Sequence, residues 1–193
     1  MAKCPVCKSR KGKRKCQLVE GMICSSCCGQ TRNKETCEGC IFYKETVPKK
    51  KYNEIPLYSP RDMETSFKLQ DYSNAIEGSL CALDNETGNQ IKDEVAIRIL
   101  ELLLDKYYFK EESIEFSDKI IEQGFNQVKE VIETDLSDIP EEEVVKILAA
   151  IRFVAKRRAR GGRDYFSIIH SYVGERVGKG MRILPKGLFS ISQ

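Results

Sequence analysis

Eight of the nine cysteines fall in the first forty residues: Cys4, Cys7, Cys16, Cys24, Cys27, Cys28, Cys37 and Cys40. Written as spacing, the stretch is C-x2-C-x8-C-x7-C-x2-C-C-x8-C-x2-C. A C-x2-C knuckle sets two thiolates around one metal with little backbone strain, and zinc takes four such ligands in a tetrahedron. Eight thiolates therefore predict two Zn²⁺ per chain. The expected first site is Cys4, Cys7, Cys24 and either Cys27 or Cys28. The second is Cys16, the remaining member of that pair, Cys37 and Cys40, an interleaved cross-brace. Neither site has an open position for water, so the predicted role of the metal is structural.

Other cysteine chemistries fit less well. Iron–sulfur runs place three cysteines close together with a fourth nearby or remote, whereas the pattern here is paired. Disulfides need oxidising surroundings. No basic-then-apolar leader precedes Cys4, so the expected location is cytoplasmic and the thiols reduced. A redox switch at the vicinal Cys27 and Cys28 is lost once both bind metal. Cys81, between Leu80 and Leu83, reads as a small buried side chain.

Cys4-x2-Cys7, a third cysteine after a basic stretch, and then Ile23-Cys24-Ser25-Ser26-Cys27-Cys28 together resemble the HIT and MYND class of cross-brace, treble-clef-type zinc fingers. The resemblance covers residues 1–43. It implies that Cys28 belongs with Cys24, and that the module binds protein partners, since such fingers commonly do. The chain departs from that class in having Cys16 alone where a second cysteine pair is usual, and cysteines where a histidine is usual.

Enzyme signatures are sparse. His170 is the single histidine, which rules out histidine-ligated zinc and histidine pairs; at the centre of an apolar helical face it reads as a packed side chain. Gly178-Lys179-Gly180 lacks P-loop spacing, and no G-x-G-x-x-G follows a strand. The chain reads as non-enzymatic, with an accessory subunit of an enzyme as an alternative.

Charge is segregated. Residues 1–60 carry thirteen basic against five acidic side chains, residues 61–145 eight against twenty-two, and residues 146–193 eleven against two. Two tetrathiolate zinc sites would each add about two negative charges to the first segment, so the purest basic surface is C-terminal. Lys156, Arg157, Arg158, Arg160, Arg163, Arg176, Lys179, Arg182 and Lys186 form a candidate nucleic-acid-binding patch, with Tyr165 and Tyr172 available to stack on bases. Two other readings compete with it. The cations can pair with the acidic middle, within the chain or across a homo-oligomer, or the zinc module can act as a protein–protein adaptor. The acids of residues 61–145 are expected on outer, solvated faces.

Behind these residues the sequence predicts a small zinc-stapled module over 1–43, a proline-broken linker over 44–60, and an all-α bundle of about five helices over 61–193. Forty residues bury too little apolar surface to fold without a staple. The helices are read from periodicity: one from Arg61 to about Asn85, a nearly all-apolar central one over 91–110, and a third capped by Ser113 or Ser117. The fourth is capped by Ser137 or Asp138 with Pro140 in its first turn, and the fifth is capped by Asp164 and stopped at Gly174. The glycine-rich tail beyond is expected to be irregular, with Met181, Ile183, Leu184, Leu188, Phe189 and Ile191 packing back. No run of about eighteen apolar residues predicts a membrane span.

Overall fold

The computed structural model describes residues 3–43 and 50–184. The chain divides into two compact units, Met1–Lys50 and Lys51–Gln193. Lys186, Leu188, Phe189, Ile191 and most of the first half of the expected linker lie outside the described residues.

The N-terminal unit is a short antiparallel hairpin, β1 (Arg14–Cys16) and β2 (Gly21–Ile23), followed by two small helices, α1 (Ser25–Thr31) and α2 (Lys34–Cys37). Its core is minimal: Cys4, Ile23, Cys24 and Cys27 are buried, with Val19 and three other cysteines packed around them. So few apolar groups cannot offset the conformational entropy of ordering forty residues. Four thiols lie at the centre of this unit.

The second unit is helical: α3 (Pro60–Thr65), α4 (Phe67–Glu86), α5 (Asp93–Tyr107), α6 (Lys119–Thr134), α7 (Glu141–Arg158) and α8 (Asp164–Tyr172), closed by a hairpin of β3 (Glu175–Gly178) and β4 (Met181–Ile183). As its composition requires, α5 is central, packed on α6, α7 and α8 with Ile99, Leu100, Leu103 and Leu104 fully buried. Gly124 lets α6 approach; a Cβ there would sit 2.4 Å from Ile99 Cδ1 and 2.7 Å from Leu83 Cδ2.

Several boundaries differ from the sequence reading, each for a local reason. The first predicted helix is two, because Ser66 adopts an extended backbone and accepts the Leu69 N–H to start α4. Ser59 and Asp62 form a reciprocal capping box on α3. Asp118, rather than Ser113 or Ser117, caps α6 by accepting from Ile120 and Ile121 N–H. Neither Ser137 nor Asp138 caps α7, whose preceding residue is Pro140 and which has no side-chain cap. Asp164 is the first residue of α8, not its cap. The carboxylate of Asp93, from the start of α5 and wholly buried, accepts from the Tyr165 and Phe166 N–H groups instead.

Residues 51–59 are not a free linker. Ile55 is buried in the helical core, the Tyr52 hydroxyl donates to Asp105 at 2.8 Å, and Tyr58 donates to Glu143. The tail forms a hairpin against α4 rather than irregular chain. It turns at Gly174 (φ 77°), where a Cβ would collide with the Ile183 carbonyl oxygen at 1.9 Å, so only glycine fits.

Candidate metal centre and basic cleft

The knuckle Cys4–Cys7 folds back on itself through Lys8 N–H to Cys4 C=O (2.8 Å) and Cys4 N–H to Arg10 C=O (2.8 Å), with Lys8 at φ 53°. Cys24 is the N-cap of α1, its sulfur accepting from the Cys27 N–H at 3.5 Å. Knuckle and helix start thereby converge: the sulfurs of Cys4, Cys7, Cys24 and Cys27 all lie within 4.8 Å of one another, and those of Cys7 and Cys24 are 3.9 Å apart. Four thiolates about 2.3 Å from a tetrahedral ion are roughly 3.8 Å from each other. The quartet fits one metal ion.

The thiols of the quartet also influence one another's ionisation. The Ser9 hydroxyl, with the amides of Arg10 and Ser9, holds the Cys7 thiol down to about 5. Hydrogen bonding with Cys24, followed by burial, pushes Cys27 up to about 12. The group ionises readily at one corner and keeps a proton at another, the behaviour of thiols too close to be anionic together unless a cation sits between them.

The choice between Cys27 and Cys28 falls to Cys27. The HIT and MYND resemblance implies Cys28 with Cys24, whereas the geometry brings Cys27 to that quartet. Successive residues on α1 point about 100° apart, so the two sulfurs face different sides of the helix. Cys28 joins Cys16, Cys37 and Cys40 around a second, small cavity of about 20 Å³, which Thr31 and Thr36 also line. Cys40 N–H donates to Cys37 C=O at 3.0 Å across a turn with Gly39 at φ 74°. Arg14 Nη1 lies 3.6 Å from Cys28 Sγ, and that hydrogen bond lowers the thiol's pKa. Among the described residues only the first quartet meets the 4.8 Å spacing.

The structure sorts the candidate basic patch into two groups. Arg163 is committed internally: Nη1 and Nη2 grip the wholly buried Asp84 at 2.8 and 2.7 Å, and Nη1 also donates to the Ile91 carbonyl. His170 adds a 2.8 Å contact to the same carboxylate. Arg176 pairs with Asp135 and Glu130, Arg182 with Asp71, and Lys156 with Glu101. Pairing with the acidic middle thus describes these four. Lys179 is exposed in the β3–β4 turn.

Arg157, Arg158 and Arg160 form the second group. All three are exposed, and among the described residues none has an acid within ion-pair distance. With Arg163, Asp164, Ser167 and Ile168 they line one open cleft of about 480 Å³ where α7 ends and α8 begins.

The acidic surface is not uniformly solvated as expected. Glu77, Asp84, Asp93 and Asp105 are buried. Their positions on apolar helix faces are the one sequence signal that could have marked them. No helix among the described residues is long and apolar enough to cross a membrane. Comparison with protein-family models, curated proteins and solved structures finds no match to this chain.

Proposed function

We propose that the chain is a non-enzymatic, two-zinc protein that binds nucleic acid through the arginine cleft at the α7–α8 junction, with the N-terminal module as its structural or docking element. The reading is carried by Arg157, Arg158 and Arg160, which share one open cleft and, among the described residues, have no acidic ion-pair partner. Three guanidiniums held free of internal pairing are what a polyphosphate strand requires, because each displaces counterions and forks onto phosphate oxygens. Arg163, tied to Asp84, braces the same cleft from below.

Zinc is the metal that suits an all-thiolate tetrahedron with no open position. The second ion is assigned to Cys16, Cys28, Cys37 and Cys40, whose cavity of about 20 Å³ has room for a single atom. Elemental analysis of the purified chain should return two zincs. One zinc would remove the second quartet, and stoichiometric iron with visible absorption would replace zinc altogether. For the interface, the chain should be retained on a phosphate-rich polymer at low salt and released when Arg157, Arg158 and Arg160 are changed to Ala. Passage of the unaltered protein at low salt would sink the nucleic-acid reading, and pull-down of partners with the full chain would then test the adaptor role.

A further inference from the structure

The arginine cleft has a neighbour. A cavity of about 400 Å³ opens between α3, α4, α7 and α8, lined by Tyr58, Met63, Phe153 and Tyr172, with Asn74 and Glu77 among its polar groups. That volume and this mixture of aromatic walls with a few polar groups are those of a small-ligand site.

The cavity and the cleft are consecutive along the same pair of helices. On α7, Phe153 and Val154 line the cavity, while Arg157 and Arg158 line the cleft. On α8, Ile168 lines the cleft and Tyr172 the cavity. Each step is four residues, about 6 Å along a helix. The Arg157 guanidinium also lies over the Phe153 ring at 5.5 Å, joining the two sites through one side-chain pair.

Glu77 gives the cavity its chemistry. It is 5% exposed, its Oε1 accepts from the Tyr165 hydroxyl at 2.8 Å, and Tyr172 also hydrogen-bonds to it. No cation pairs with it among the described residues. A buried carboxylate that lines an aromatic cavity and has only hydroxyl donors is an acceptor for ligand N–H groups.

We propose that this cavity receives one unpaired, amino-bearing nucleobase of the strand whose phosphates lie on Arg157 and Arg158. The proposal rests on the nucleic-acid reading above and specifies how it is achieved. Phe153 and Tyr172 supply aromatic faces for the base, as in other single-strand sites. Glu77 and Asn74 meet its hydrogen-bonding edge. Cytosine, adenine and guanine each offer an exocyclic amino group to Glu77. Thymine and uracil present a single N–H between two carbonyls, which the carboxylate opposes.

The test uses the full zinc-loaded chain at pH 8, where Glu77 is ionised, and three short single strands of equal length: oligodeoxycytidylate, oligothymidylate, and a wholly abasic phosphodiester. Oligodeoxycytidylate should bind about tenfold more tightly than the abasic strand, the effect of seating one base on aromatic side chains. Gln70→Phe, which fills the cavity from α4, and Met63→Phe, which fills it from α3, should each abolish that difference while leaving abasic-strand binding unchanged. Two fillers on different helices, each checked by circular dichroism, guard against one failing to fold. Glu77→Gln should remove the preference for cytosine over thymine.

Equal binding of all three strands by the unaltered protein would overturn base insertion and leave the arginine interface standing. Binding of none would overturn the nucleic-acid reading itself. Deoxycytidine monophosphate competing as effectively as the strand would identify the ligand as a free nucleotide and overturn the strand as its source.

Discussion

Glu77→Gln should make the helical unit more stable at pH 8 and nearly remove its pH dependence between pH 5 and 8. Burial pushes the Glu77 carboxyl from its ordinary 4.5 up to about 7, against the opposing hydrogen bonds from Tyr165 and Tyr172. In the folded chain the group therefore holds its proton at pH 6, and in the unfolded chain it has lost it. Stability falls wherever the folded state binds more protons than the unfolded state. The loss begins above pH 4.5 and is complete once pH passes about 7. A shift of this size corresponds to about 3 kcal/mol, an order-of-magnitude figure. Glutamine keeps the shape and the hydrogen-bonding oxygen but cannot ionise. The variant should gain up to about 3 kcal/mol over the unaltered chain at pH 8, less whatever the tyrosine hydroxyls lose in bonding an amide instead of an anion. Asp84, whose hydrogen bonds with Arg163 and His170 hold its pKa low against burial, acts in the opposite direction and below this window. Urea unfolding followed by far-ultraviolet circular dichroism, with the two proteins compared at each pH, isolates the Glu77 contribution. Parallel profiles from pH 5 to 8, or a variant less stable at pH 8, would refute the reasoning.

Other perturbations have equally definite outcomes. Asp84→Asn leaves Arg163 and His170 facing a neutral amide and should cost about 3 kcal/mol, read as a lower urea midpoint with an unchanged slope. Gly124→Val drives two methyl groups into the fully buried Ile99 and Leu83 and should cost about 1–3 kcal/mol by thermal unfolding; wild-type stability would show that α6 can shift. Removing metal with a strong chelator at neutral pH should unfold the N-terminal unit, seen as rapid proteolysis within residues 1–43, while the helical unit resists.

How much of this was legible in the sequence follows the range of the interactions. The convergence of Cys4, Cys7 and Cys24 was readable because knuckles are local, and only the choice of Cys27 over Cys28 needed the helix that turns them about 100° apart. The central helix α5 announced itself through nearly uninterrupted apolar residues. The α8 cap did not, since Asp93 reaches it from more than seventy residues away in sequence. Glu77 and Asp84 escaped notice because burial of a carboxylate depends on the tyrosines and the arginine that other helices bring to it. The closing hairpin was hidden by its glycines, which permit a tight turn as readily as irregular chain. Among the candidate cations, sequence alone could not separate those that grip internal acids from Arg157, Arg158 and Arg160, which share an open cleft.

The central claim, that a strand lies on Arg157, Arg158 and Arg160, is tested most directly by the salt dependence of single-strand binding. Each phosphate contact contributes about 0.7 to the slope of log K against log salt concentration for a single strand. Changing the three arginines to Ala should therefore flatten the slope by about 2, with weaker binding at every salt concentration. An unchanged slope in the triple variant, or no binding by the unaltered chain at low salt, would contradict the account.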